Sequence, residues 1–140
     1  MKILLAVDGS PFTKRMLGFL AAHPEFLEGN HQFTALTVVP PLWPRAHSQM
    51  AKEAVRDYYA ACAADVLDPI KAFARQKGWT LAAVSQVGDP AEEIARCAEA
   101  ERPDLIVMGS HGHSPVVGVA LGSVVNKVLA RSRVPLLIIR

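Results

Sequence analysis

The sequence has no long hydrophobic run and no excess of charge of one sign. No apolar stretch approaches the roughly 18 residues that a membrane-spanning helix needs, and Asp8 interrupts the apolar start Met1–Val7 too early for a signal peptide. The 15 basic and 13 acidic residues give a formal net charge of +2, which provides no electrostatic case for binding nucleic acid or a membrane surface. We therefore expect neither a nucleic acid nor a membrane among its partners.

Cysteine is also scarce. Cys62 and Cys97 are far apart and both fall in helical patterns, so we interpret them as small buried hydrophobic residues rather than a disulfide. A cytoplasmic location fits this usage best. Hydrophobic residues make up 51% of the chain and charged residues 20%, a composition that argues against disorder.

Five strand-like segments alternate with helical ones along the chain. Each is short and rich in apolar or β-branched residues, as in strands that are covered on both faces. The expected strands are Lys2–Val7, Gln32–Val39, Thr80–Val87, Asp104–Met108 and Val134–Ile139. This alternation predicts an α/β fold with an open, doubly wound, mostly parallel sheet and helices on both faces. Ligands of such sheets bind outside the carboxyl ends of the strands, where the strand order reverses.

The helix starts have recognisable chemistry. Ser10 and Asp89 are expected to cap helices whose first residues are Pro11 and Pro90, and Glu92 takes the third helical position of the second of these. A last helix is predicted at Ser123–Ala130.

Proline is expected to interrupt the chain at two places. Pro40–Pro44, with the sequence Pro-Pro-Leu-Trp-Pro, is predicted to be a mobile loop. A long helical pattern runs from Val55 to Phe73, and Pro69 inside it should kink or split that helix. Gly78 is a plausible stop for it.

Glycines cluster between the fourth strand and the last helix. Gly109 and Gly112 follow the strand, and Gly122 and Ser123 come after nine intervening residues, at the start of the helix. Glycine lets backbone N–H groups approach an anion closely, and a helix N-terminus offers unpaired donors and the positive end of a dipole. Ser123 could donate to a phosphate oxygen or merely cap its own helix. The P-loop motif and the G-x-G-x-x-G dinucleotide motif are both absent.

This loop resembles the G-x2-G-x9-G-[S/T] signature of ATP-binding universal stress proteins, with its full spacing. Three further segments resemble that family in the same order: Ile3–Ser10, which ends in Val-Asp-Gly-Ser, the helix start Gly88–Ile94, and the closing strand Val134–Ile139. The resemblance implies a Rossmann-like fold of five strands in the order 3-2-1-4-5, with residues 1–140 as a single domain. It also implies ATP as ligand, accompanied by Mg²⁺, and a homodimer formed through the C-terminal strand.

The resemblance assigns five residues to the nucleoside. Ala6, Val7 and Val38 would line an adenine pocket, a role that does not conflict with their being sheet core. Met108 would contact the base or the ribose. Asp8 would accept a hydrogen bond from ribose or adenine, and its alternative role is to cap the turn that follows it. We favour the ligand role because Asp8 ends the first strand at the expected crevice.

Five more residues are assigned to the ribose and the phosphates. Gly109 and Gly112 would contact ribose and phosphate through their backbone. Gly122, Ser123 and Val124 would hold the β- and γ-phosphates at the helix start. A purely structural role for these glycines is the alternative.

The sequence predicts no catalytic residue. His111 and His113 form a His-x-His pair that can bind metal, but two ligands make a weak site and no third is evident, so phosphate contact or solvation is the preferred role. No Lys or Arg lies between Gly109 and Ser123, and Lys127 could reach a phosphate only by pointing back along its helix. Hydrolysis of ATP would at most be slow.

Three functions are therefore carried forward. The leading hypothesis is an ATP-binding module of stress response or signalling, whose nucleotide changes its partners or its oligomeric state. The second is a dimeric adapter that does not use nucleotide. The third is a slow ATPase or phosphotransferase.

Overall fold

Strands and helices alternate in the fold as the sequence predicts. The computed structural model describes residues 1–24, 29–114, 118 and 120–140. In chain order the elements are β1 (Lys2–Ala6), α1 (Pro11–Ala22), β2 (Gln32–Val39), α2 (Pro44–Gln49), α3 (Lys52–Gln76), β3 (Thr80–Val87), α4 (Pro90–Glu101), β4 (Leu105–Gly109), α5 (Ser123–Arg131) and β5 (Leu136–Ile139).

The five strands form one parallel sheet in the order β3-β2-β1-β4-β5, which confirms the predicted order. At the centre, Ala6 of β1 lies opposite Leu36 of β2 on one side and Met108 of β4 on the other. The chain leaves β1 towards β2 and β3, then returns across the sheet to β4 and β5. The loops after β1 and β4 therefore diverge, and a crevice opens between them at the carboxyl edge.

Each face of the sheet has its own core, because successive side chains of a strand point to opposite faces. Ile3 and Leu5 of β1, and Val7 directly after it, belong to the core under α1 and α3. Leu4 and Ala6 belong to the core under α4 and α5. Both cysteines are free and pack at the margins of these cores, Cys62 at the first and Cys97 at the second.

The predicted helix starts are confirmed. The Ser10 side chain accepts a hydrogen bond from the Thr13 N–H at 3.3 Å, and Asp89 accepts one from the Glu92 N–H at 3.1 Å. Each caps a helix that begins at proline. These caps fix where α1 and α4 begin at the carboxyl edge of the sheet.

The expected split at Pro69 is wrong, since α3 runs without a break over 25 residues from Lys52 to Gln76. Leu67 and Ile70, on either side of Pro69, are both buried in one core, and their packing keeps the helix continuous through the proline. The helix stops as predicted before Gly78, whose φ is +68°. None of the helices in the described ranges combines the length and apolar character needed to cross a membrane.

The segment after β2 differs from the prediction of a loop up to Pro44. Residues 40–43 are irregular, but Pro44 begins the short helix α2, which buries none of its residues. The Leu42 N–H donates to the Tyr59 hydroxyl of α3 at 2.8 Å, so the segment turns towards the α3 side of the sheet. The next residue, Trp43, is 83% exposed.

Candidate functional site

A cavity of about 320 Å³ opens at the carboxyl edge of the sheet, in the crevice between β1 and β4. All ten residues that the sequence predicts to bind nucleotide line it. They come from three strand ends, from the loop after β4 and from the start of α5, so the parallel topology is what brings them together. The remaining lining residues are Thr13, Leu36, Pro90, Ile94, His111, His113, Ser114 and Val125.

One end of the cavity is apolar. Ala6 and Met108 are buried neighbours on β1 and β4, and Val38 is half-buried at the end of β2. Ile94 of α4 closes this end from the helix layer. Such an enclosure suits a flat apolar group, and the small Ala6 side chain leaves room for one.

Sequence reasoning missed Leu36 and Ile94, although a signal for each exists. Leu36 lies two residues before Val38 and therefore faces the same side of the sheet. Ile94 is one turn into α4, whose capped start follows β3 and must lie at the same edge as the other strand ends. Thr13, Pro90, Ser114 and Val125 were missed as well, and they are neighbours in sequence of predicted or capping residues.

The first two glycines of the loop lie in close contact with other parts of the protein. A Cβ on Gly109 would lie 2.6 Å from the Phe12 Cβ of α1, and one on Gly112 would lie 2.7 Å from the Asp8 Oδ2. Real Cβ atoms do not approach this closely. The glycines therefore let the loop lie against the β1–α1 turn, so their structural role is present whether or not a ligand binds.

The start of α5 is the polar end of the cavity. Gly122 is the N-cap, and its N–H donates to the Ser110 carbonyl oxygen at 2.7 Å. Ser123 is the first helical residue, so the alternative in which its side chain caps the helix is wrong. The first N–H groups of a helix have no acceptor within it, and those of Ser123, Val124 and Val125 donate to no backbone or side-chain oxygen within the described part of the chain. These three N–H groups border the cavity at the positive end of the helix.

The two carboxylate oxygens of Asp8 have different surroundings. Oδ1 accepts from the Ser10 N–H at 2.9 Å and from the Thr13 hydroxyl at 2.8 Å, which is the turn-capping role. Oδ2 is the oxygen that faces Gly112. The carboxylate is held in place by Oδ1 while it borders the cavity.

The two histidines have different partners. The His111 Nδ1 lies 3.0 Å from the hydroxyl of the buried Ser110, and its ring packs against Phe12 with centroids 5.2 Å apart. The His113 Nε2 donates to the Asp8 carbonyl oxygen at 2.6 Å. Within the ranges that the structure describes, no group of three or more His, Cys, Asp or Glu side chains is placed to hold a metal ion.

Cationic side chains close to the cavity are paired with acids of α4. Lys127 lies 3.7 Å from Asp89, and Arg131 lies 3.2 Å from Glu92. The hydrogen bond from the Glu92 N–H lowers the pKa of Asp89, and Lys127 lowers it further. Since none of the described lining residues is Lys or Arg, backbone N–H groups, hydroxyls and imidazoles are the groups available to hold an anion.

Comparison with known proteins gives one consistent family. The profile of the universal stress protein family matches residues 1–140. Universal stress protein YxiE of Bacillus subtilis is 28% identical over 99% of this chain and 98% of its own length. MJ0577 of Methanocaldococcus jannaschii is 36% identical over 74 residues, or 53% of this chain, and the match spans about half (46%) of that relative.

Solved structures agree with the fold. UspA from Lactobacillus plantarum superposes with a TM-score of 0.82 at 25% identity, covering 100% of this chain and 97% of that one. A family member from Arabidopsis thaliana with AMP bound gives 0.71 at 19% identity, over 99% and 90% of the two chains. A universal stress protein in complex with cAMP gives 0.66 at 22% identity, over 100% and 96%.

Proposed function

This chain belongs to the universal stress protein family, and we propose that its cavity binds an adenine nucleotide, with ATP as the ligand. The protein would act as a nucleotide-dependent module of stress response or signalling. Residues 1–140 would form one cytoplasmic domain.

The observation that carries this proposal is the convergence of ten predicted residues on one cavity. The volume of about 320 Å³ falls at the lower end of the range for small-molecule sites, roughly 300–1,000 Å³. An apolar end for a base lies beside a helix start with three available N–H donors, and this combination matches a nucleoside joined to phosphates.

Each part of the nucleotide would contact a different group of lining residues. Ala6, Val7, Val38 and Met108 would enclose the base. Oδ2 of Asp8 would accept from the ribose, or would be the carboxylate that faces Mg²⁺, which prefers oxygen ligands.

The phosphates would lie at the start of α5. The N–H and the hydroxyl of Ser123 and the N–H of Val124 would donate to them. Gly122 would lie next to the phosphates without donating to them, because its own N–H already donates to the Ser110 carbonyl oxygen. Gly109 and Gly112 would keep the loop close enough for ribose and phosphate to contact its backbone.

Two solved structures with this fold are named with AMP and with cAMP as their ligands. At 19% and 22% sequence identity, the likeness to these two structures shows the fold alone. The choice of ATP as the ligand therefore rests on the signature loop. The protein would form a dimer through β5. This strand lies at the edge of the sheet, and its Leu136, Leu137 and Ile138 are only half-buried, so a partner would cover them.

Fast phosphoryl transfer has no support from the site. Such chemistry needs cations that neutralise charge and a positioned nucleophile or base, and among the residues that the structure describes the lining includes no Lys or Arg. The nucleotide-free adapter would be favoured if the packing role of the glycines were their only role.

The decisive experiment compares nucleotide binding in two variants that carry the same substitution. Ser123→Glu places a carboxylate at the phosphate end, yet an acidic residue in the first turn stabilises a helix, so the variant should fold. Ser48→Glu makes the same change at an exposed site on α2, away from the cavity. We expect ATP to co-purify with the wild type and Ser48→Glu, measured by anion exchange after denaturation, and its affinity to fall at least tenfold in Ser123→Glu.

Calorimetry with Mg-ATP supplies the affinities. A wild-type protein that carries no nucleotide and gives no binding heat would reject the proposal in favour of the adapter. Equal affinities in all three proteins would place the ATP site elsewhere.

A further inference from the structure

Thr13 and Asp8 are joined by a reciprocal pair of hydrogen bonds across the turn between β1 and α1. The Thr13 hydroxyl donates to the Asp8 Oδ1 at 2.8 Å and accepts from the Asp8 N–H at 3.1 Å. The Thr13 side chain is only 4% exposed, and it lines the cavity. Because a hydroxyl has a single hydrogen, the bond to Oδ1 uses the whole donor capacity of this side chain and fixes the carboxylate relative to α1.

Three of the four polar groups of Asp8 are engaged within the protein. Its N–H donates to Thr13, its carbonyl oxygen accepts from His113, and Oδ1 accepts from Thr13 and from the Ser10 N–H. Oδ2 accepts no hydrogen bond from any residue that the structure describes, and it lies on the Gly112 side of the cavity. The turn therefore presents one carboxylate oxygen to the cavity in a fixed position.

This oxygen lies beside the sugar of a nucleotide in the proposed orientation. Asp8 comes two residues after Ala6, which lines the base end, and the phosphate end begins at Gly122. The sugar joins the base to the phosphates, and its hydroxyls are donors that a carboxylate oxygen can accept from. A hydrogen bond to an ionised acceptor is about twice as strong as a bond between neutral groups.

The start of α1 does not need the Thr13 hydroxyl. Ser10 caps the helix by accepting from the Thr13 backbone N–H, and any residue other than proline at position 13 keeps that N–H. Without the hydroxyl, Oδ1 would retain only the Ser10 N–H as a donor. The carboxylate could then rotate, and Oδ2 would lose its fixed direction.

We propose that Thr13 is a positioning residue, which holds the Asp8 Oδ2 towards the ribose hydroxyls and so makes the site select ribonucleotides. The inference rests on the proposed function and adds a rule for the sugar of the ligand. Thr13 acts through Asp8, so its removal lowers the preference for ribose.

The test measures dissociation constants for ATP and for 2′,3′-dideoxy-ATP, each with Mg²⁺, in the wild type, Thr13→Val, Thr13→Ser and a control, Thr37→Val. Val keeps the branched shape of Thr without its hydroxyl, and Ser keeps the hydroxyl. Thr37 is a buried residue of β2 outside the described lining of the cavity. It faces the opposite side of the sheet from Leu36 and Val38, which line the cavity.

The measured quantity is the ratio of the two dissociation constants within one protein, which a change in stability alone does not move. Melting temperatures show that each variant is folded. Thr13→Ala also lacks the hydroxyl and takes the place of Thr13→Val if the valine variant does not fold.

We expect the wild type, Thr13→Ser and Thr37→Val to bind ATP about tenfold more tightly than 2′,3′-dideoxy-ATP, because only ATP supplies donors to Oδ2. In Thr13→Val the affinity for ATP should fall towards that for the dideoxynucleotide, and the ratio should approach one.

Three results would overturn the inference while sparing the proposed function. They are equal affinities of the wild type for the two nucleotides, a wild-type ratio in Thr13→Val, and a ratio in Thr13→Ser as low as that of Thr13→Val. The first of these would mean that Asp8 does not contact the ribose. Absence of binding of either nucleotide by the wild type would instead reject the proposed function and the inference together.

Discussion

At the scale of single residues, close approach between loops decides which side chains the site tolerates. Gly109 lies against Phe12, and Gly112 lies against the Asp8 carboxylate. A side chain at Gly109 would have to displace the backbone of α1 at Phe12, and one at Gly112 would have to move the Asp8 carboxylate, whose Oδ1 contacts hold the turn before α1. The same few atoms therefore serve the fold and the ligand site.

This packing predicts a loss of stability in Gly109→Ala. The new Cβ would meet the Phe12 Cβ at 2.6 Å and its backbone carbon at 3.1 Å, so backbone must move, at a cost of about 1–3 kcal/mol in the free energy of unfolding. Gly18→Ala is the matched control, because Gly18 is an exposed residue inside α1 with nothing within 4 Å of an added Cβ. It should gain roughly 0.5–1 kcal/mol. Urea denaturation measures both, and a Gly109→Ala protein as stable as the wild type would contradict the packing argument.

At the scale of secondary-structure elements, the starts of α4 and α5 lie side by side but are satisfied differently. Asp89 neutralises the start of α4 with its own carboxylate, whereas Gly122 leaves the start of α5 without a side-chain cap. Of these two neighbouring helix starts, that of α5 is therefore the one prepared for an anion.

The Asp89 cap predicts a pH-dependent contribution to stability. Its pKa is lowered in the folded protein, so the contribution is present above the ordinary pKa of an aspartate, near 4, and is lost as the pH falls through the lower folded value. Asp89→Ala should cost about 1 kcal/mol at pH 7, and the difference from the wild type should shrink towards pH 2. Asp89→Asn keeps a capping oxygen and should cost less. Urea denaturation across this range checks the sign, and a penalty that grows as the pH falls would contradict it.

At the scale of the whole molecule, the sheet has two edges with different surroundings. β3 pairs with β2 along all eight of its residues, and Val87 at its end is 42% exposed. β5 is only four residues long and presents half-buried apolar side chains. An exposed apolar edge invites pairing, and the proposed dimer would cover the β5 edge and leave β3 open.

Hydrogen exchange at high and low protein concentration tests that dimer. The amides of β5 should exchange more slowly when the protein is concentrated, because association would bury the edge, while the amides of β3 should exchange at one rate throughout and serve as the internal control. Protection that changes at β3 and not at β5 would place the interface at the β3 edge and contradict a dimer through β5. A dimer would be contradicted by two results together: exchange rates at both edges that do not depend on concentration, and a mass of one 15.1 kDa chain at each concentration.

Local chemistry along the chain was enough to predict most of the fold. The bounds of β2 and β3 match the prediction residue for residue, and the caps at Ser10 and Asp89 were identified because a cap needs only neighbours in sequence. The short helix α2 was missed for the corresponding reason: it buries nothing, so its residues show no apolar stripe.

The sequence by itself determined the order of the strands, the caps of α1 and α4 and the set of strand ends that meet at the cavity, because periodicity, capping and parallel topology follow from the order of residues. Only the tertiary structure decided that α3 continues through Pro69, since the burial of Leu67 and Ile70 outweighs one lost hydrogen bond. It also decided that His113 donates to Asp8. Contacts between residues a hundred positions apart depend on how two loops pack, and no local pattern encodes that packing.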